Sequence, residues 1–243
     1  MKIAVCVPCH LDYLKYLQGC LWSIVKQTRQ PDMIVVSVSG VKKEDERYDF
    51  DHGDIPLTLL YTADKHLDGG NRNRAAAAAV ASGADVLSFF DVDDLMHPRR
   101  IEMIEFYFLQ EPTIHVLLHS YMKGSRNNIE HYGKEFPIPW IDVHGSIFTK
   151  NPLDFVLLRF SSFSKIESRL PHNKPYIGVG HIHNGHVSVK KECWQEAPYN
   201  EKFFMGNDCQ FNYTLWTKGY RVGYTSLMLC CYMRDDLEGF CGP

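Results

Sequence analysis

Short apolar runs that alternate with helical patterns constrain the fold of this chain more than any other feature. Lys2 to Val7 reads as a strand ended by Pro8. Leu14, Leu17, Leu21 and Ile24 then recur at three- and four-residue steps, forming one buried stripe of a helix that Asp12 can cap. Pro31 lies in the break after it. Met33 to Ser39 reads as a second strand closed by Gly40, and Leu57 to Tyr61 as a third, after the charged surface connection Lys42 to Asp54. The alanine-rich stretch Asn71 to Ser82 is helical in pattern, Gly83 stops it, and Val86 to Phe90 is the next apolar run. Such alternation predicts an α/β protein with a Rossmann-like, mostly parallel central sheet flanked by helices, and ligands outside the carboxyl ends of its strands. The loops after Val7 and Ser39 and the segment after Phe90 are therefore expected along one edge.

The second half is less regular. Arg99 to Gln110 reads as a helix, Thr113 to His119 as a strand, and Leu153 to Phe160 as a possible helix within a stretch rich in Pro, Gly, His and aromatics. His186 to Lys190 reads as a strand, Asp208 to Lys218 as a helix, and Arg221 to Tyr224 and Leu229 to Met233 as two further strands. No repeat or linker divides the chain. The expectation is one domain over residues 1–243, with a nucleotide-binding half to about 122 and a partner-substrate half from about 123.

Composition narrows the function. With 243 residues, 45% hydrophobic and 23% charged, the chain has the means for a sizeable core. A formal net charge of -3 gives no bulk attraction for nucleic acid, and no apolar run is long enough to cross a bilayer. Pro8, His10, Asp12 and Lys15 interrupt the apolar core that a signal peptide needs, so a cytoplasmic location is expected. Cys6-Val7-Pro8-Cys9-His10 matches the haem-attachment pattern, and its first four residues match a redox dithiol. Without an export signal or a second C-x-x-C, reduced structural cysteines are the expectation.

The chemistry is concentrated in Phe89-Phe90-Asp91-Val92-Asp93-Asp94-Leu95. Three carboxylates at a strand end repel one another, and a divalent cation among them is the economical remedy. Hard oxygen ligands favour Mg²⁺ or Mn²⁺. A solvated acidic turn before the helix that Pro98 opens is the alternative. Upstream, Gly69-Gly70-Asn71-Arg72-Asn73-Arg74 leads into the alanine helix. Two arginines in a first turn oppose the macrodipole, which makes sense where an anion binds; otherwise both point into water. Arg74 is preferred over Arg72. Together these segments suggest a diphosphate site.

In their order, three segments resemble the family 2 glycosyltransferases of the GT-A fold, from about Lys2 to Tyr224. They are IAVCVPCHLDYLKYLQGCLWSIVKQT, NRAAAAAVASGADVLSFFDVDDLMHP and HNGHVSVKKECWQEAPYNEKFFMGNDCQFNYTLWTKGYRVGY. The resemblance implies a metal-dependent inverting glycosyltransferase, hexosyl or pentosyl, taking a UDP-, GDP- or dTDP-sugar to a glycan or other hydroxyl acceptor. It makes Asp91 and Asp93 a DxD motif and Asp91, Asp93 and Asp94 the ligands of Mn²⁺ or Mg²⁺. Pro8, His10, Ser39, Arg72, Arg74, Asp91, Val92 and Asp93 become the donor-binding set. Asp208 becomes the general base, in a position where an Asp also caps a helix well. Asn207 departs from the acid usual there. Ser37-Val38-Ser39-Gly40 lacks the aspartates that read a nucleobase in the family, for which Asp64 or Asp68 could substitute. Asn184, Trp140 and His186 are expected near the acceptor, and His181 and His183 complete a histidine cluster with His186. Trp140, Tyr176 and Trp194 are candidates to stack on sugar rings. Two other readings stand beside this one: a haloacid dehalogenase-type phosphatase, whose nucleophile strand also ends in D-x-D, and a non-catalytic nucleotide- or sugar-binding protein.

Overall fold

The computed structural model describes residues 1–42, 48–125, 155–157, 184–203 and 207–234. Its strands are β1 (Ile3–His10), β2 (Met33–Ser39), β3 (Leu57–Thr62), β4 (Val86–Phe89), β5 (Leu95–Met96), β6 (Val116–Ser125), β7 (Phe155–Leu157), β8 (Val187–Lys190) and β9 (Val222–Arg234). The helices among the described residues are α1 (Leu17–Val25), α2 (Asp68–Ala81), α3 (Arg100–Gln110), α4 (Lys191–Glu196) and α5 (Asn207–Thr217), with 3-10 turns at Leu11–Tyr16 and Asn184–His186. None of these helices is long and apolar enough to cross a membrane.

The described strands form one sheet in the order β3-β2-β1-β4-β8-β6-β9-β5, with β7 also pairing β9. The ladders β1–β2, β2–β3, β1–β4 and β6–β9 are parallel; β8 runs antiparallel between β4 and β6. Because side chains alternate along a strand, β1 feeds two cores. Ile3, Val5, Val7 and Cys9 face α1 and α3, while Ala4 and Cys6 face the alanine side of α2 together with Phe89, Val187 and Phe211. Cover on both faces is what continuous apolar runs in parallel strands require. The expected α/β class is thus present.

Several boundaries differ from the sequence expectation, each for a physical reason. Strand β1 does not end at Pro8 but runs on to His10, because its partner β2 stays in register as far as Ser39. The helix after it starts as a 3-10 turn whose cap is His10, with Nδ1 accepting from the Asp12 amide at 3.3 Å; Asp12 is not the cap. Helix α2 begins at Asp68, one turn before Asn71, despite Gly69-Gly70. These glycines are there for close approach: a Cβ on Gly69 would lie 2.3 Å from Asn207 Nδ2, and one on Gly70 would press on His66 at 3.3 Å. Hence Asp68 occupies the first turn, and the two arginines do not. The two strands expected over residues 221–233 are one, β9, which bulges against β6 between Thr225 and Met228 and again between Met228 and Cys231. Phe155–Leu157 is strand, paired with β9, rather than helix. Strand β6 crosses the expected division near residue 122, so both halves share one sheet.

Candidate active site

The strand order reverses at β1, whose neighbours are β2 and β4, and crevices form at such switch points. At the carboxyl ends of these strands lies a cleft of about 370 Å³. Pro8, Cys9, His10 and Tyr13 line it from β1 and the following turn, His66, Asp68, Asn71 and Arg72 from the start of α2, Asp91, Val92 and Asp93 from the turn after β4, and Tyr232 from β9. The expected residues Pro8, His10, Arg72, Asp91, Val92 and Asp93 are therefore brought together.

Asn71 anchors the floor. Its side chain accepts from Ser37 Oγ at 3.0 Å and donates to Ser39 Oγ at 2.9 Å and to the Cys9 carbonyl at 3.1 Å. That ties the start of α2 to the ends of β1 and β2, and it accounts for Ser39, which is wholly buried and whose hydroxyl faces Asn71. Gly40 follows in a left-handed conformation (φ 80°), where a Cβ would also meet His10 Nε2 at 3.0 Å. Only glycine suits that position.

Arg72 is the cleft's buried cation, 2% exposed. Its Nη2 donates to Asp91 and lies 3.2 Å from Asp68 Oδ1. Burial works against its charge, but the carboxylates of Asp68 and Asp91 outweigh burial and raise its pKa. Its Nε and Nη1 have no hydrogen-bond partner among the described residues, and its guanidinium sits over the Tyr199 ring at 5.8 Å. The carboxylates of Asp68, Asp91 and Asp93 thus outnumber the one guanidinium lining the cleft. Asp91 and Asp93, hard oxygen donors lining one cleft of negative balance from a single turn, suit a divalent cation. Gly185, in the 3-10 turn before β8, abuts this cluster: a Cβ there would lie 3.0 Å from Asp91 Oδ2.

The acidic triplet does not act as a unit. Asp94 is wholly buried and does not line the cleft. Its Oδ1 accepts from the Met233 amide at 2.9 Å, and its Oδ2 lies 3.5 Å from Cys230 Sγ and 3.9 Å from His186 Nε2. Burial, reinforced by the charges of Asp93 and Asp91, pushes its carboxyl well above the usual range. The expectation of one metal held by Asp91, Asp93 and Asp94 is corrected in its third member, because the turn at Asp94 points into the sheet.

Arg74 is also placed elsewhere. It donates to Ser37 Oγ at 3.2 Å and to the Tyr61 carbonyl at 3.1 Å, and it lines a separate groove with Trp194 and Glu201. Two residues of helical phase, about 200°, separate the pair: Arg72 faces the cleft, and Arg74 faces β2 and β3. Asp208 stands in the first turn of α5, half-buried, near enough for its charge to support protonated Arg72. Its neighbour Asn207 packs on Gly69. His186 is wholly buried, stacked on Tyr121 at 4.6 Å, and so has no surface to offer an acceptor. Asn184 begins the same turn. Trp140, Tyr176, His181 and His183 lie outside the described residues. Asp64 is exposed beside Gly40, to whose amide its carbonyl is bonded.

The C-x-x-C-H match has no haem or dithiol geometry behind it. Cys6 and Cys9 are free, buried and on opposite faces of β1, and burial pushes the Cys9 thiol up to about 12. Residues the sequence reading missed are Asn71, Tyr13, His66, Tyr232 and Gly185. Asn71 alone left a signal, as a polar residue at the entry to an apolar helix face; Tyr232 comes from far along the chain and left none.

Residues 4–180 match the model of Glycosyl transferase family 2. Among solved structures, S. aureus TarS 1-349 in complex with UDP-GlcNAc superposes with a TM-score of 0.65 at 16% identity, over 98% of this chain and 60% of that one. A second structure of TarS 1-349 gives 0.62 at 16% identity over 96% and 60%, and its complex with UDP 0.56 at 14% over 99% and 60%. The chain therefore spans about 60% of the length of these relatives, and the likeness is one of fold. No curated protein matches it.

Proposed function

The chain belongs to glycosyl transferase family 2, and from that premise we propose that it is a metal-dependent inverting glycosyltransferase taking its sugar from a nucleotide-sugar. The observation that carries the proposal is the convergence of Asp91, Asp93 and Arg72 in one cleft at the strand-order switch. The complexes of TarS with UDP-GlcNAc and UDP support a UDP-sugar as the first donor to try.

In this reading Asp91 and Asp93 would hold Mn²⁺ or Mg²⁺, and the bound cation would offset the charge of the departing diphosphate. Arg72 holds Asp91 in place through its Nη2. His10, Tyr13 and His66 offer polar and aromatic contacts to the nucleotide. An acceptor hydroxyl attacks the anomeric carbon while the bond from that carbon to the diphosphate oxygen breaks. Asp208 takes the hydroxyl proton, and the nucleoside diphosphate leaves with the bonding electrons. Attack opposite the leaving group inverts the configuration. The acceptor is a glycan or another hydroxyl compound, and a cytoplasmic setting remains part of the proposal.

Incubation with UDP-, GDP- and dTDP-sugars plus Mn²⁺ tests it. Slow release of nucleoside diphosphate, lost in Asp208→Asn, is the expected result. Donor hydrolysis that persists unchanged in Asp208→Asn would overturn the assignment of the base, and absence of any donor turnover with every acceptor tried would leave a binding protein.

A further inference from the structure

Behind the cleft, three ligating side chains meet that the transfer reaction does not use. Asp94 follows β4, His186 ends the 3-10 turn before β8, and Cys230 lies on β9; each is wholly buried. One donor atom from each falls within 4.8 Å of the other two. Asp94 Oδ2 is 3.5 Å from Cys230 Sγ and 3.9 Å from His186 Nε2, while Oδ1 is held by the Met233 amide, which keeps Oδ2 turned to the other two.

We propose that Asp94, His186 and Cys230 form a structural zinc site. Bond lengths of about 2.0–2.3 Å at a tetrahedral zinc put its ligand atoms about 3.3–3.8 Å apart, close to the two spacings from Asp94 Oδ2. One oxygen, one nitrogen and one sulfur suit a borderline-soft ion, whereas Mg²⁺ and Mn²⁺ prefer oxygen alone, so this site and the cleft select different metals. On binding, zinc displaces the Cys230 thiol proton, and any proton on Asp94, to solvent. The ion then offsets two negative charges that Arg100, whose Nη2 donates to Ser88 and the Phe89 carbonyl, meets only through its charge among the described residues. Three protein ligands leave one tetrahedral corner for a water or another donor. The bond would staple β9 to the turn carrying Asp91 and Asp93 and to the turn whose Gly185 abuts Asp91. The site stands whether or not the transfer reading holds.

The test is metal content of the full chain, purified after growth with zinc and dialysed against a chelator, measured by mass spectrometry. One equivalent of zinc is expected in wild type, a loss in Cys230→Ser and His186→Ala, and full retention in Asp93→Ala, whose side chain lines the cleft and is not one of the three ligands. Should the first two variants fail to fold, the cobalt-substituted wild type decides, through its thiolate-to-cobalt charge-transfer absorption. Wild type without zinc, zinc lost only in Asp93→Ala, or a cobalt protein without the thiolate band overturns the proposal.

Discussion

At the scale of single residues, the two arginines of the Asn71-Arg72-Asn73-Arg74 stretch have separate fates. Arg72 is sealed against Asp91 and Asp68, so Arg72→Ala strands a carboxylate in a half-buried site; a stability loss of about 3 kcal/mol is expected in urea titrations. The same variant should weaken nucleoside diphosphate binding more than Arg74→Ala, whose guanidinium bonds to β2 and β3 instead. Calorimetry with UDP and Mn²⁺ ranks the pair; equal losses would mean the cleft extends to Arg74. Asp93→Ala is expected to abolish Mn²⁺-dependent UDP binding altogether, and undiminished affinity would refute the cation assignment. Residue types alone could not separate these roles. Three aspartates in four positions read alike, yet Asp93 lines the cleft and Asp94 is drawn inward by the Met233 amide, whose position depends on where β9 lies.

At the scale of elements, the start of α2 shows what local pattern leaves out. A Gly-Gly pair reads as a breaker because glycine costs about 1 kcal/mol in a helix interior. Here the missing side chain lets α2 touch α5, since a Cβ at Gly69 would lie 2.3 Å from Asn207 Nδ2. Gly→Ala at a compatible helical site usually gains about 0.4–1 kcal/mol. For Gly69→Ala the sign reverses: overpacking should cost about 1–3 kcal/mol in thermal or urea unfolding. Strand positions were easier to read. Met33–Ser39 matches its apolar run, because a strand buried on both faces carries apolar residues at successive positions and Gly40 closes it. The gap expected between Tyr224 and Leu229 is instead a bulge within β9, whose pairing with β6 resumes at Met228.

For the whole molecule, acid sensitivity follows from carboxylates tied across elements. Burial pushes Asp32 up, but hydrogen bonds from the Ile3 amide and Arg29 outweigh it and hold its pKa below the usual value. Asp85 and Glu102 are likewise lowered, chiefly by the Lys2 amide and by Arg99. A lowered folded-state pKa gives stability that is present above the unfolded value, about 4, and is lost as pH falls through the folded one. Stability is therefore expected to decline below about pH 4. Asp32→Asn should flatten that limb, by about 1 kcal/mol or less because Asp32 is partly exposed and solvent screens its pair. Urea midpoints across the acid range check it.

From sequence alone came the alternating pattern, hence an α/β sheet with its ligands at one edge, and the acidic turn as the place for chemistry. Those features are local: the spacing of apolar residues decides which side of an element is buried. The folded chain decided which arginine meets the acidic turn, that Asp94 leaves it, and that Tyr232 and Gly185 join it. Such choices depend on helix phase and on backbone groups from distant segments, and only packing of the whole chain brings those into contact.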